Sequence, residues 1–256
     1  MNEWLHNLPV WLMTLVVFAI TYLAAGVIFA IIMTLAKGER VRTFKSVSAS
    51  LLSPLGTIFG LLIVFSVVQV WGDIDRARVA VNREASAIRM IVLLAASFPG
   101  EPETQIRNLL RRHVDEAVLA EWPTMAKQSA SLRVTPPLAE VLRLVLSLVP
   151  TSEGQIVAQR EIVRQLENAT DARRQRIILS RSSVNWVKWV CLFAQASCTL
   201  IAIGIVHSDN RAGAAIAMWI FATGTAVSVL LIVSHDRPFS GEISVKPDVL
   251  LQVRPE

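Results

Sequence analysis

The stretch from Leu51 to Leu94, LLSPLGTIFGLLIVFSVVQVWGDIDRARVAVNREASAIRMIVLL, constrains this chain more than any other part of it. Its first half is apolar and long enough to cross a bilayer. After Gly72 it contains neither proline nor glycine, so the same helix can run on into water as a charged amphipathic one. At helical spacing one face reads Phe59, Leu62, Ser66, Gln69, Asp73, Arg76 and Arg83. That face passes from apolar through hydroxyl and amide to charge. A pore-lining helix that opens into an aqueous vestibule has this gradient. So does any helix that leaves a bilayer.

Three further apolar runs accompany it, at about Leu8–Leu35, Val184–Val206 and Ala214–Val233, while the second span itself covers about Val47–Trp71. Charged residues make up only 18% of the chain, against roughly 25% in soluble domains, and the deficit is concentrated in these runs. The composition is that of a polytopic membrane protein. Pro9 suits the first turn of a helix, and Trp4 and Trp11 are placed as interfacial anchors. With no Lys or Arg before it, and too long for a signal-peptide core, the first run is expected to be retained as a span. In the second, Ala49, Ser53, Gly56 and Gly60 share a face suited to close helix contact, as Gly224 and Ser228 do in the fourth. The third carries Lys188 near its start and Gln195 near its middle, on one face with Cys191 and Cys198. A lysine there can snorkel to the interface, whereas an amide in hydrocarbon needs a partner.

Between the second and third spans the composition is water-soluble and no strand alternation occurs. Helices are predicted at Asp75–Ser97, stopped by Pro99 and Gly100, and at Glu103–Trp122, ended by Pro123. Two more are predicted at Leu138–Val149 and, behind an N-cap at Ser152, from Glu153 to near Arg181. The expected fold is all-α, with four transmembrane helices and a helical soluble domain inserted between the second and third. Its expected domains are residues 1–71 (first helix pair), 72–183 (soluble domain), 184–234 (second pair) and 235–256 (tail).

Several functions find no support. Cys191 and Cys198 are seven residues apart, about 10 Å on a helix, too far for a disulfide within one chain. No Cys/His spacing fits a metal, and His6, His113, His207 and His235 share no motif. No nucleophile with a base and no phosphate loop is visible, and Glu121 and Glu167 lack a recognisable companion. No catalytic residue, metal or cofactor is therefore expected. The net charge of +5 comes from arginines interleaved with acids close to the spans, which suits lipid headgroups rather than nucleic acid.

Four spans place the soluble region and the tail on one side. Near span ends that side has ten Lys or Arg residues. The opposite side has five, of which Lys37, Arg40, Arg42 and Lys45 form the first loop and Arg211 lies in the second. The positive-inside rule then puts the soluble region in the cytoplasm.

Five segments carry a resemblance in order along almost the whole chain: LHNLPVWLM, VWGDIDRARVAVNREASAI, RRHVDEAVLAEWPTM, LENATDARRQRI and DRPFSGEISVKPDVL. Together they resemble the bestrophin-like domain-of-unknown-function family of bacterial membrane proteins, which is distantly similar to bestrophins. Bestrophins are pentameric anion channels with a narrow hydrophobic neck on the second helix. The resemblance implies a bacterial inner-membrane protein that assembles as a homo-oligomeric ring in the lipid bilayer and passes an inorganic anion such as chloride. It makes Phe59, Leu62 and Ser66 the neck candidates. The chain departs from bestrophins just past the second span, where Gln69, Trp71 and Asp73 replace an Asn-rich, tryptophan-paired text, and it has no long acidic tail to clasp calcium.

Three constellations result. Phe59, Leu62, Ser66 and Gln69 are pore-lining candidates, because an apolar constriction repeated around a ring can gate by dewetting. Asp73, Asp75, Arg76, Arg78, Arg83 and Glu84 face Asp171, Arg173, Arg174 and Arg176 across the insertion, either as an ion-pair network or as a basic vestibule that concentrates anions. Asp236, Arg237, Pro238, Phe239 and Gly241 look like a fixed turn that locks the tail against the helical domain. The competing function is a non-conducting scaffold or sensor whose helical domain binds a partner.

Overall fold

A computed structural model describes residues 8–37, 41, 43, 44, 46–133 and 135–256. Trp4, His6, Arg40, Arg42 and Lys45 lie outside the described residues. The helices are α1 (Val10–Leu35), α2 (Leu52–Ala95, entered through a 3-10 turn at Ala49–Leu51), α3 (Glu101–Glu116), a π turn (Ala117–Glu121), α4 (Trp122–Ala126), α5 (Pro136–Ser147), α6 (Glu153–Ser180), α7 (Trp186–Val206), α8 (Arg211–His235) and α9 (Asp248–Gln252). No strand occurs among the described residues. The fold is all-α, with α1, α2, α7 and α8 long and apolar enough to cross a membrane. α2 runs unbroken for 44 residues, about 66 Å at helical rise. It belongs through Trp71 to one compact unit and from Gly72 to another.

The first unit comprises Met1–Trp71 and Ser183–Asp236. Its helices are apolar all round, so packing rather than amphipathic pattern selects the contacts. Small residues supply the close approaches: Ala25, Ala196, Ala214, Ala222 and Ala226 are all buried. Around them lie successive clusters, one with Met13, Val17, Val70, Trp189 and Ile232, the next with Leu200, Ile203 and Met218, and a last one with Ile32 and Met33. Gln195 finds its partner, donating from Nε2 to the Leu55 carbonyl at 3.1 Å. Tyr22 sits against Trp219 with ring centroids 4.9 Å apart and shares a 2.9 Å hydrogen bond with Thr223.

The second unit comprises Gly72–Ser182 and Arg237–Glu256. The charged half of α2 buries Ile74, Ala77, Val81, Ile88 and Ile91 against Ile106, Leu110 and Val114 of α3, Val141 and Val145 of α5, and Ile162, Leu166 and Ile177 of α6. Gly100 turns the chain between α2 and α3 at φ +92°, a conformation suited to glycine. Ser152 caps α6 by accepting from the Gln155 N–H at 3.3 Å.

Pro123 does not end its helix, contrary to the sequence expectation. Helical backbone continues through α4, because the turn before the proline widens to π geometry and the Trp122 N–H bonds to the Ala117 carbonyl. A widened turn displaces the carbonyl that a proline ring would otherwise meet. Beyond α8, Phe239, Val245 and Leu250 enter the core of the second unit. Trp122 donates from Nε1 to the Val245 carbonyl at 3.2 Å, and its ring meets that of Phe239 edge-on.

Gly204 tests the packing of the first unit. A Cβ there would stand 2.5 Å from Ile32 Cδ1 and 3.2 Å from Met218 Sδ. Gly204→Leu is expected to cost about 1–3 kcal/mol by overpacking, read as a lower Tm of the detergent-solubilised protein.

Candidate functional site: the second helix and a buried charge cluster

Glu84 on α2 is fully buried, and so is Arg176 on α6. The pair is bidentate: Arg176 Nε donates to Glu84 Oε2 at 2.7 Å and Nη2 to Oε1 at 3.1 Å. Nη2 also donates to Oε2 of Glu121, in the π turn, at 2.9 Å. Arg173, one helical turn earlier on the same face of α6, donates from Nε to Glu121 Oε1 at 2.8 Å. Two carboxylates and two guanidiniums therefore cancel. The Arg176 guanidinium also stacks over the Trp122 ring at 4.7 Å.

His113 on α3 completes the cluster, with Nε2 3.1 Å from Glu84 Oε1 and Nδ1 3.2 Å from Thr135 Oγ1. Burial alone would raise the Glu84 carboxyl. Together the Arg176 charge and the hydrogen bonds from His113 and Arg176 outweigh it and hold the group down at about 2. An ionised carboxylate only accepts, so His113 donates from Nε2. Arg176 is pushed up by the two carboxylates against the effect of its own burial.

A second link ties the start of this charged segment to the end of α6. Asp73, buried, accepts from Arg76 and, at 2.6 Å, from Ser182 Oγ. Asp75, Arg76, Arg83, Asp171 and Arg174 are exposed. Of the sequence candidates, Glu84, Arg173, Arg176 and Asp73 are buried in ion pairs, exposed Arg76 is the partner of Asp73, and Asp75, Arg83, Asp171 and Arg174 face outward. Glu121, His113 and Thr135 were missed. Glu121 has no companion nearby in sequence, since its arginines lie 52 and 55 residues further along the chain.

On the apolar half of α2, the pore-lining candidates differ in how far the chain's own helices cover them. Phe59 is only 6% exposed, its ring 5.2 Å from that of Phe221, and Ser66 is buried with its hydroxyl bonded to the Leu62 carbonyl. The chain's own helices cover that flank. Leu62 and Gln69 are half-buried. The uncovered strip is Ile58, Leu61, Phe65 and Val68, the last two 69% and 61% exposed. Of the tail residues, Asp236 accepts from the Val184 N–H at 2.6 Å within the first unit. In the second, Pro238 and Phe239 are buried, the Pro238 carbonyl accepts from Val245 N–H at 2.8 Å, and Gly241 has φ +85°. Arg237 Nε is buried without a hydrogen-bond partner among the described residues.

Four apolar helices flanking a helical insertion whose interior is tied by paired charges define a multi-span helical membrane protein. The same fold occurs in a bacterial bestrophin homologue from Klebsiella pneumoniae (TM-score 0.64, 11% identity, covering 94% of this chain and 95% of that one). Two point mutants of a Klebsiella pneumoniae bestrophin homologue align equally well. One gives a TM-score of 0.65 at 13% identity, covering 93% of this chain and 96% of the other. The second gives 0.64 at 13% identity, covering 94% and 95%. No curated protein matches the sequence. Residues 19–250 match the bestrophin-like domain, and the chain belongs to that family.

Glu84→Gln removes the charge while keeping the shape and leaves Arg176 short of a counter-ion. It is expected to cost about 3–5 kcal/mol, read as a lower Tm. The acid side follows from the same carboxyl. Its folded value, about 2, lies below the ordinary 4.5, so its stabilisation is present above pH 4.5 and lost as pH falls toward 2. Wild-type Tm is expected to drop through that window, and Glu84→Gln is expected to flatten the drop.

Proposed function

We propose that this protein is a homo-oligomeric anion channel of the bacterial inner membrane, five-membered by analogy with bestrophins, with α2 lining the pore and the soluble unit in the cytoplasm. The observation that carries this reading is the uncovered face of α2. In its most apolar window only 17% of residues are buried, against 39% in α7 and in α8. α1 is equally bare, but α2 alone among the spans continues past its apolar part into a charged helix. Along its open side the helix passes from Leu61, Phe65 and Val68 to Asp75, Arg76 and Arg83.

Repeated around a ring, the apolar strip forms a constriction that water leaves readily, a gate by dewetting. Leu62 and Gln69 remain lining candidates beside it. Phe59 and Ser66 reach the lumen only if α2 turns about its axis on assembly. Exposed Arg83 and Arg174 raise the local anion concentration at the mouth, while the paired charges of Asp73 with Arg76 and of Glu84, Glu121, Arg173 and Arg176 contribute no free charge to it. A pore lined by one helix per subunit requires a ring of subunits.

Purified protein in planar bilayers under a chloride gradient is expected to reverse toward the chloride potential. Phe65→Ala and Leu62→Ala are expected to change conductance while leaving the oligomer intact by size-exclusion light scattering. Cation selectivity discards the anion assignment. Silence from well-reconstituted oligomers, or a stable monomer in mild detergent, moves the reading to a scaffold or sensor whose helical unit binds a partner.

A further inference from the structure

Lys188 is the one charged side chain inside the apolar spans, since α1, α2 from Leu52 to Gly72, and α8 between Arg211 and His235 carry no Lys, Arg, Asp or Glu. It lines a pocket of about 180 Å³ in the first unit with Leu62, Phe65, Ser66, Val187 and Cys191. Its ammonium donates to Gln69 Oε1. Among the described residues no carboxylate pairs with it. An ammonium has three N–H donors, so the Gln69 carbonyl satisfies one and leaves two. The Ser66 hydroxyl spends its proton on the Leu62 carbonyl, so it supplies no further donor.

The remaining walls are apolar. Lys188 is exposed in the first turn of α7, so its stem lies along these walls while its ammonium stays open to a ligand that arrives from the interface. What the pocket offers is net positive: a primary ammonium, plus the Gln69 amide N–H whose carbonyl end is already engaged. Its volume lies below the roughly 300–1,000 Å³ of pockets that enclose drug-sized molecules. It suits one small anion with part of its hydration shell, or one headgroup.

We propose that the pocket between α2 and α7 binds a singly charged anionic group, held by Lys188 Nζ and the Gln69 amide. Two sources share that chemistry, a free inorganic anion and the phosphate of an acidic phospholipid. The site deepens the channel reading and rests on it for the part a bound anion plays, because Phe65 belongs to both the pocket and the proposed pore strip and Leu62 lines the pocket beside that strip. Occupancy itself does not depend on conduction.

The test uses the full-length protein in maltoside micelles. Tm is followed as sodium bromide replaces sodium gluconate at constant ionic strength, and separately as phosphatidylglycerol is titrated into the micelles. A ligand that binds only the folded protein raises Tm with concentration. Wild type and Lys188→Arg are expected to gain a few degrees, and Lys188→Met to lose that response. Gln69→Leu is expected to weaken it, as a second variant should Lys188→Met fold poorly. A response to bromide identifies a free-anion site, and a response to phosphatidylglycerol alone identifies a headgroup site. No response in wild type to either, or an equal response in Lys188→Met, overturns the proposal. Silent bilayers with the Lys188-dependent response intact sink the channel and leave the site. Anion conductance without that response does the reverse.

Discussion

The buried pair of Glu84 and Arg176 is the interaction on which the helical unit depends. Two charges leave water entirely, at a cost the interior tolerates only when geometry and further hydrogen bonds are complete. Here they are: both Glu84 oxygens accept, the guanidinium bonds Glu84 and Glu121 together, and His113 takes a remaining position on the Glu84 carboxylate. A bidentate fork fixes direction as well as distance, so α2, α3, the π turn and α6 are held in one mutual register. Apolar contacts such as Ile88, Leu110 and Ile162 supply the bulk of burial. They lack that directionality.

The π turn shows how local backbone serves the cluster. Proline at 123 calls for a disturbed helix, and the widened turn immediately before it carries Glu121 to both arginines of α6. The same short segment provides Trp122, which stacks on Arg176, meets Phe239 and bonds the Val245 carbonyl. A single irregularity therefore joins the charge cluster to the tail. In the first unit the principle differs. Lipid is as apolar as leucine, so small residues that permit close approach decide which helices touch, and polar groups such as Gln195 and Tyr22 take specific partners.

Much of this was legible in the residues. Length and apolarity identify the four spans, because no other structure satisfies twenty consecutive backbone amides in hydrocarbon. The uninterrupted text after Gly72 foretold one helix through Ala95, and Ser152 marked the start of α6. Pro123 reads locally as a stop, whereas the π turn that accommodates it is supported by Trp122 and Glu121 reaching distant partners. Glu121 itself could not be read, since its arginines are more than fifty residues away.

By itself the sequence determined the helices, their spans, the helical insertion and the residues that share each helical face, all of which follow from composition and a 3.6-residue period. Only the tertiary structure decided which face is covered. Phe59 and Ser66 stand on the same face as Leu62 and Gln69, and periodicity treats all four alike. Phe221 packs on Phe59 and Ser66 is buried as well, while the strip of Leu61, Phe65 and Val68 stays open. Tertiary structure likewise decided that Glu84, Arg173 and Arg176 are partners and Arg76 and Arg83 are not part of their cluster. The physical reason is common to both cases: spacing orders side chains around one axis, but burial and pairing depend on what segments far along the chain bring against it.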